Sequence, residues 1–310
     1  MNTKNDDAQH EVIPCTVKAL PDSLKRDGMR TALAINPLNG INKQMVHTDD
    51  PNHPIASHLT VGVAKMWDAS PRTLLVSFLD DASIELQDRI ISHMNAWTKT
   101  CCIDFKRAEG TVGQVRISFG NSGYWSYLGT DILHIDENEP TMNLQGFSMD
   151  TPESEYKRVV RHETGHTLGF EHEHMRRELV KRIDPKLAYP YFLRNQGWSK
   201  TEVDQQVLTP LDQATIMGTP ADETSIMCYQ LPGSIMIDGK GIPGGTDINA
   251  TDYAFAGSLY PQPHVAVGST VPTDKMAAMA TRGPKATQQA AAYHRYSPEL
   301  IDTFNLATLQ

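Results

Sequence analysis

The sequence predicts an α+β fold of two unlike halves: a twisted mixed sheet with one long motif-bearing helix, then an irregular C-terminal half. Three observations carry this. Short β-branched and aromatic runs crowd residues 73–135, and a single strong helical period interrupts them, with Leu86, Ile90, Met94 and Trp97 at offsets of four, four and three. The run His162-Glu163-Thr164-Gly165-His166-Thr167-Leu168-Gly169-Phe170-Glu171-His172 lies on a helix with clear end signals. Beyond Gly169 the pattern breaks into short helices and loops.

Taken in order, residues 1–60 are rich in Asn, Asp, Pro and His. They carry a weak helical patch over 22–34 and no strand signal, and read as an extension wrapped on a core or partly disordered. The first strong strand is 73–79, and shorter ones are expected at 103–107 and 115–119, with a further pair at 124–128 and 132–135. Thr151 is placed to cap the motif helix, Pro152 suits its first turn, and Glu153 and Glu155 complement the positive end of its dipole. Tyr156, Val160 and Thr164 form a stripe that should pack on the sheet, so the histidine face looks into a cleft. Ser199 and Glu202 have capping-box spacing before Val203 and Val207, and Asn249 or Thr251 can start a last helix through Leu259. From residue 262 onward Pro, Ala, Thr and Gln offer little to bury, which predicts a flexible tail over 262–310 with a short amphipathic helix at 298–306.

With 310 residues, 39% hydrophobic and 21% charged, the chain can bury a large core. A net charge of −9 and the lack of any lysine-arginine run exclude nucleic acid as the expected partner, because neutralising phosphates needs a basic surface. No apolar run approaches the ~20 residues that cross a bilayer, so no membrane role is expected. The N-terminus MNTKNDDAQHEVIP lacks the basic-then-apolar pattern of a secretory signal. The chain is therefore cytosolic, leaves by another route, or has a leader that precedes this sequence. Four cysteines, Cys15, Cys101, Cys102 and Cys228, are too few for a disulfide-built scaffold, and adjacent Cys101 and Cys102 are badly spaced to bridge each other. Buried free thiols are expected.

The chemistry lies in the histidine run. At about 100° per residue, His162 and His166 return to one helical face about 6 Å apart along the axis, so both can reach one ion. Glu163 points to the flank of that face, placed as a general base rather than a ligand. Gly169 can adopt the left-handed angles that stop a helix, letting the chain turn and bring His172 back to the same ion. Three neutral imidazoles leave a fourth position open, the pattern of a catalytic site for one zinc ion rather than a closed structural one.

The extended motif HETGHTLGFEHEHMR, with Ser225-Ile226-Met227-Cys228-Tyr229 downstream, resembles the astacin family of the metzincin metallopeptidases. Phe170, Glu173 and Arg176 match the extended motif, and Met227 and Tyr229 match the family's Met-turn. The resemblance covers 61–261 and is densest over 159–176 and 225–229. It implies a metzincin-like two-subdomain zinc peptidase with the active-site helix beside a deep cleft. Met227 would form an apolar floor under the imidazoles. Tyr229 would be a weak fifth ligand that swings away to stabilise an oxyanion. The implied activity is hydrolysis of internal bonds of a protein or peptide substrate, with Glu163 as general base. The strand near 126–130 would offer an open edge to an extended peptide. The alternative is a catalytically silent zinc-binding scaffold that keeps the fold.

Several positions depart from the family pattern. Arg177-Glu178-Leu179 replaces the usual acidic-basic stretch, Cys228 replaces the Met-turn histidine, and Tyr124-Trp125-Ser126-Tyr127 stands where a cysteine-containing segment is expected. The family's disulfides are therefore not carried over; the resemblance leaves a secreted location open, with no signal peptide in this sequence. The resemblance also makes 1–60 a candidate pro-segment ahead of a catalytic domain at 61–261. In the family an aspartate closes the zinc and in related metzincins a cysteine does, which makes Cys15 a candidate latency ligand beside the plainer reading of an ordinary cysteine. Glu173 keeps two readings: partner of a newly formed amino terminus, or surface partner of Arg176 or Arg177. His174 fits the ligand spacing less well than His172, and His93 and His134 have no companion motif.

Overall fold

A computed structural model describes residues 15–40, 64–211 and 221–263. The tail beyond residue 263, with its expected helix at 298–306, lies outside the described residues. Six strands, β1 (Cys15–Lys18), β2 (Arg72–Phe78), β3 (Ile103–Arg107), β4 (Val115–Ser118), β5 (Tyr124–Tyr127) and β6 (Met142–Leu144), form one sheet in the order β1-β5-β6-β4-β2-β3. Every pairing is parallel except β5 with β6, so the sheet is mixed.

Alternation builds the strands. Leu74 and Val76 of β2, Ile103 and Phe105 of β3, and Val115 and Ile117 of β4 are all buried. The first two helices are α1 (Asp22–Ile35) and α2 (Ile84–Met94). Helix α2 starts where the Ser83 hydroxyl accepts the Leu86 N–H at 3.2 Å. It carries the chain from β2 back to parallel β3 and buries Leu86, Ile90, Ile91 and Met94. Trp97, expected on this helix, falls in the 3₁₀ turn Asn95–Lys99 that extends it, and is buried against the motif helix.

Three expectations need correction. Residues 132–135 are not a strand: Gly129–His134 is a 3₁₀ helix, and the strand comes later as β6. The cause is local, because the Thr130 N–H donates to the Lys65 carbonyl (2.9 Å) and the buried Asp131 carboxylate pairs with Lys65 (2.8 Å), which ties this segment to residue 65 instead of a ladder. Thr151 does not cap the motif helix. Its hydroxyl is engaged by the Ser148 N–H (3.0 Å), and Pro152 takes the cap position one residue on. Finally, residues 15–18 do form a strand, which lies along β5, so the edge expected to be open is covered. The rest of 15–40 also docks. The Thr31 hydroxyl meets His134 Nε2 at 2.8 Å, the Asn36 side chain donates to the Trp67 carbonyl (2.7 Å), and Asn39 bonds the backbone of Met66 in both directions (2.9 and 3.1 Å).

The motif helix runs through α3 (Glu153–Glu155), a π-helical stretch Tyr156–Val160 and α4 (Arg161–Thr167). The second half holds α5 (Arg177–Val180), α6 (Pro185–Gln196), α7 (Lys200–Val203) and α8 (Ala250–Leu259). The capping boxes at Ser199 with Glu202 and at Asn249 with Asp252 are both formed. Two apolar clusters result: one between the sheet, α2 and the motif helix, and a second around Leu179, Phe192, Val203, Val207, Leu231 and Met236. Cys15 of β1 belongs to the second. All four cysteines are free. No helix among the described residues is long and apolar enough to cross a membrane.

Candidate metal centre

His162 and His166 project from α4 and are buried. Each has its Nδ1 against a backbone carbonyl: His162 on Ile226 at 2.6 Å and His166 on Phe170 at 2.7 Å. A nitrogen that close to a carbonyl oxygen carries the proton, so both Nε2 atoms present lone pairs. Gly169, at φ +98°, ends the helix and reverses the chain. His172 then returns with its Nε2 at 3.3 Å from that of His162 and 3.0 Å from that of His166. Tetrahedral zinc with Zn–N bonds of 2.0–2.1 Å would separate its nitrogens by about 3.3 Å, so the three atoms fit such an ion. Burial lowers the basicity of all three rings, His162 to about 4, and keeps them in the neutral form that a cation requires.

Glu163 is fully buried beside this cluster, and neither carboxylate oxygen has a hydrogen-bond partner. Burial pushes its pKa up to about 8, against the opposing pull of the Cys15 thiol and the Arg158 charge. Met227 lies under the helix. A Cβ at position 165 would collide with its sulfur, so Gly165 is what leaves room for that side chain against α4. Tyr229 is buried with its hydroxyl unpartnered, its ring 4.3 Å from that of His172. The Cys15 thiol also comes in: its sulfur and the nearest nitrogens of His162, His166 and His172 all lie within 4.8 Å of one another.

Residues 61–234 match the model of the astacin peptidase family. The chain belongs to the astacin family. Enzymes of this family use a catalytic zinc, which agrees with the donor set above. Zinc metalloproteinase nas-27 of Caenorhabditis elegans is 32% identical over 112 residues, a match spanning 34% of this chain and 24% of that relative. The solved structure of myroilysin is 28% identical and superposes with a TM-score of 0.60, covering 64% of this chain and 96% of that one. The mixed sheet and helices are therefore those of an astacin-type α+β fold.

The astacin motif alone does not reveal several neighbours of the centre. The Asp252 carboxylate accepts from the Ser225 hydroxyl (2.6 Å), the Ile226 N–H (2.9 Å) and the Asn249 N–H (3.0 Å), and so anchors the residue whose carbonyl holds His162. The capping-box spacing of Asn249 with Asp252 is the available signal. His174 is no member of the ligand cluster: its ring stacks on Tyr229 at 4.0 Å and its Nε2 bonds the Gln206 carbonyl at 2.8 Å. Glu173 accepts the Asp222 N–H (3.1 Å) and lies 3.6 Å from the buried Arg176, so this pair does not sit at the surface. His93 is buried beside Glu153 (3.4 Å), and His134 meets Thr31. Strand β1 has one signal, the β-branched pair Thr16-Val17 bounded by Pro14 and Pro21.

Proposed function

We propose that this chain is a zinc-dependent endopeptidase that cleaves internal peptide bonds and is held latent by its own N-terminal segment. The observation that carries the reading is the convergence of three buried Nε2 atoms, those of His162 and His166 left unprotonated by their Nδ1–carbonyl bonds, beside one buried, unpartnered carboxylate. His162, His166 and His172 would hold one zinc. Bound there, zinc supplies Lewis acidity, which lowers the pKa of water and polarises a carbonyl. Glu163 takes a proton from the attacking water and passes it to the leaving nitrogen. A carboxylate whose burial favours the protonated form can keep that proton between the two steps. Tyr229, with no competing partner for its hydroxyl, donates to the oxygen that gains charge. Met227 supports the imidazoles from below, and Gly165 makes room for it.

Latency rests on Cys15. Strand β1 fills the edge of β5 that an extended substrate would use, and the thiol meets the imidazoles where a fourth zinc ligand belongs. Residues 1–60 then act as a pro-segment, and the catalytic domain spans 61–261. Protein or peptide is the expected substrate class.

Metal analysis of the purified full-length chain, paired with digestion of unfolded casein and mass spectrometry of the products, tests both parts. One zinc per chain is expected, with hydrolysis that rises as 1–60 is lost, stops with a chelator and returns with zinc. Hydrolysis indifferent to the chelator would overturn the enzyme assignment. Full activity from an intact chain would overturn the latency.

A further inference from the structure

Gln206 has no part in the chemistry above, yet its side chain grips the segment that fills the cleft. Its Oε1 accepts from the Val17 N–H at 3.3 Å, and its Nε2 donates to the Val17 carbonyl at 3.4 Å. In an extended strand the N–H and C=O of one residue leave on the same side. Val17 therefore turns both groups toward Gln206, while its neighbours Thr16 and Lys18 turn theirs toward β5. The segment is held on both edges, by a strand on one side and by a single primary amide on the other.

The position of that amide is built into the local fold. Gln206 lies in the π-helical stretch Asp204–Leu208, between the buried Val203 and Val207 that seat the turn in the second core. Its own carbonyl has no helical partner to accept from. Pro210 lacks an N–H, the Thr209 N–H is taken by Asp204 (2.8 Å), and the Leu211 N–H by Met175 (2.9 Å). His174 fills the gap, and the same imidazole lies flat on Tyr229. The backbone of Gln206 is thus tied to the residues around the metal centre.

We infer that Gln206 is the main-chain clamp of this cleft: when the N-terminal segment has left, its amide grips the backbone of an extended peptide substrate. The grip falls two residues from the one at the imidazoles, as Val17 falls two residues from Cys15. This rests on the peptidase reading. A primary amide offers a donor at one end and an acceptor at the other, and a half-turn of its terminal torsion exchanges them. Gln206 can therefore serve a peptide running either way along β5, and it adds affinity without reading side chains.

The test uses binding rather than turnover. Protein whose residues 1–60 have been removed by limited proteolysis after folding, carrying Glu163→Gln so that bound peptide is not cleaved and loaded with zinc, is titrated with a fluorescent extended hexapeptide and with a series in which one backbone amide at a time is replaced by an ester. In this parent, one ester position should weaken binding about 3- to 10-fold, the range for one modest hydrogen bond. Gln206→Ala should weaken the all-amide peptide similarly, and in it that ester should cost nothing more. Gln206→Met, which fills the same space without the amide, keeps the comparison if alanine disturbs the turn. No peptide binding by the parent, unchanged affinity in both variants, or an ester penalty equal in parent and variants overturns the clamp. If the coupling is present but the same processed chain with Glu163 retained never cleaves peptide, the peptidase reading falls and the clamp stands.

Discussion

The two sides of the cleft are built by different means. On the sheet side, long parallel ladders and apolar layers carry the structure, with Ile90, Trp97, Phe105, Ile117 and Met142 all buried. On the other side regular structure is short, and single polar groups pin the loops. Asp252 holds the turn at residues 225–226, Arg182 joins Asp238, Glu223 and the Lys240 carbonyl, and Gln206 faces the strand in the cleft. Apolar layers spread their load over many contacts, so one lost side chain costs stability without redirecting anything. A loop pinned by one carboxylate loses its course with that carboxylate. The metal centre draws on both, since α4 rests on the sheet side while the carbonyl that orients His162 comes from the pinned side.

The largest expected effect leaves both sides intact. Glu163→Gln preserves size and removes only the proton acceptor, so turnover should fall at least about 10²-fold while zinc content and melting temperature stay near those of the parent. Unchanged casein hydrolysis would remove Glu163 as the base. The next effect concerns the segment lodged between the two sides. A tethered ligand competes at an effective concentration of about millimolar, so Cys15→Ser in the full-length chain should raise casein hydrolysis on the order of tenfold or more. Equal activity of the two intact chains would return Cys15 to an ordinary buried thiol.

How far the sequence discloses this arrangement follows the same division. Strands β2 to β5 and helix α2 are legible because a half-buried strand repeats every two residues and a surface helix every 3.6, and the burial of Leu74, Val76, Ile90 and Met94 follows those periods. The spacing of His162, His166 and His172 is legible because helix geometry and Gly169 fix it locally. Strand β1 escapes such a reading because a four-residue strand owes its form to the edge of β5, more than a hundred positions away. The segment 129–134 misleads because its apolar alternation is overruled by the pair of Lys65 with Asp131. The capping box marks Asp252 as a helix cap, but no pattern in the sequence announces its bond to the distant Ile226 N–H or that of Gln206 to the Val17 backbone.

A matched pair of substitutions sharpens the contrast between the sides. Ile90→Ala opens a cavity in the sheet-side core and should cost about 2–5 kcal/mol of stability, with zinc affinity unmoved. Asp252→Ala should cost less, about 1–3 kcal/mol, because it leaves buried donors at Ser225 and Ile226 unpaired. It should also weaken zinc by up to about tenfold, since the carbonyl that fixes the His162 tautomer loses its support. Chemical denaturation and zinc competition titrations measure the two quantities separately. Equal zinc affinities in the two variants would mean that the pinned side does not reach the metal centre.

The smallest expected effect sits on the sheet side. His93 is buried against the ring of Tyr156 (5.1 Å) and beside Glu153. Burial lowers its pKa below the ordinary 6.5, Arg161 and Arg89 add to that, and Glu153 opposes it without prevailing. The folded protein therefore holds His93 neutral to a lower pH than the unfolded chain, which takes up a proton there as pH falls through about 6.5. Stability that is fully present above that pH should be lost progressively below it. In His93→Gln this part of the loss is absent, so the fall in melting temperature between pH 7 and pH 5 should be shallower than in the parent, with both proteins zinc-loaded. Parallel curves would mean that His93 titrates alike in the folded and unfolded chains, and that its place in the sheet-side core exerts no pull on its proton.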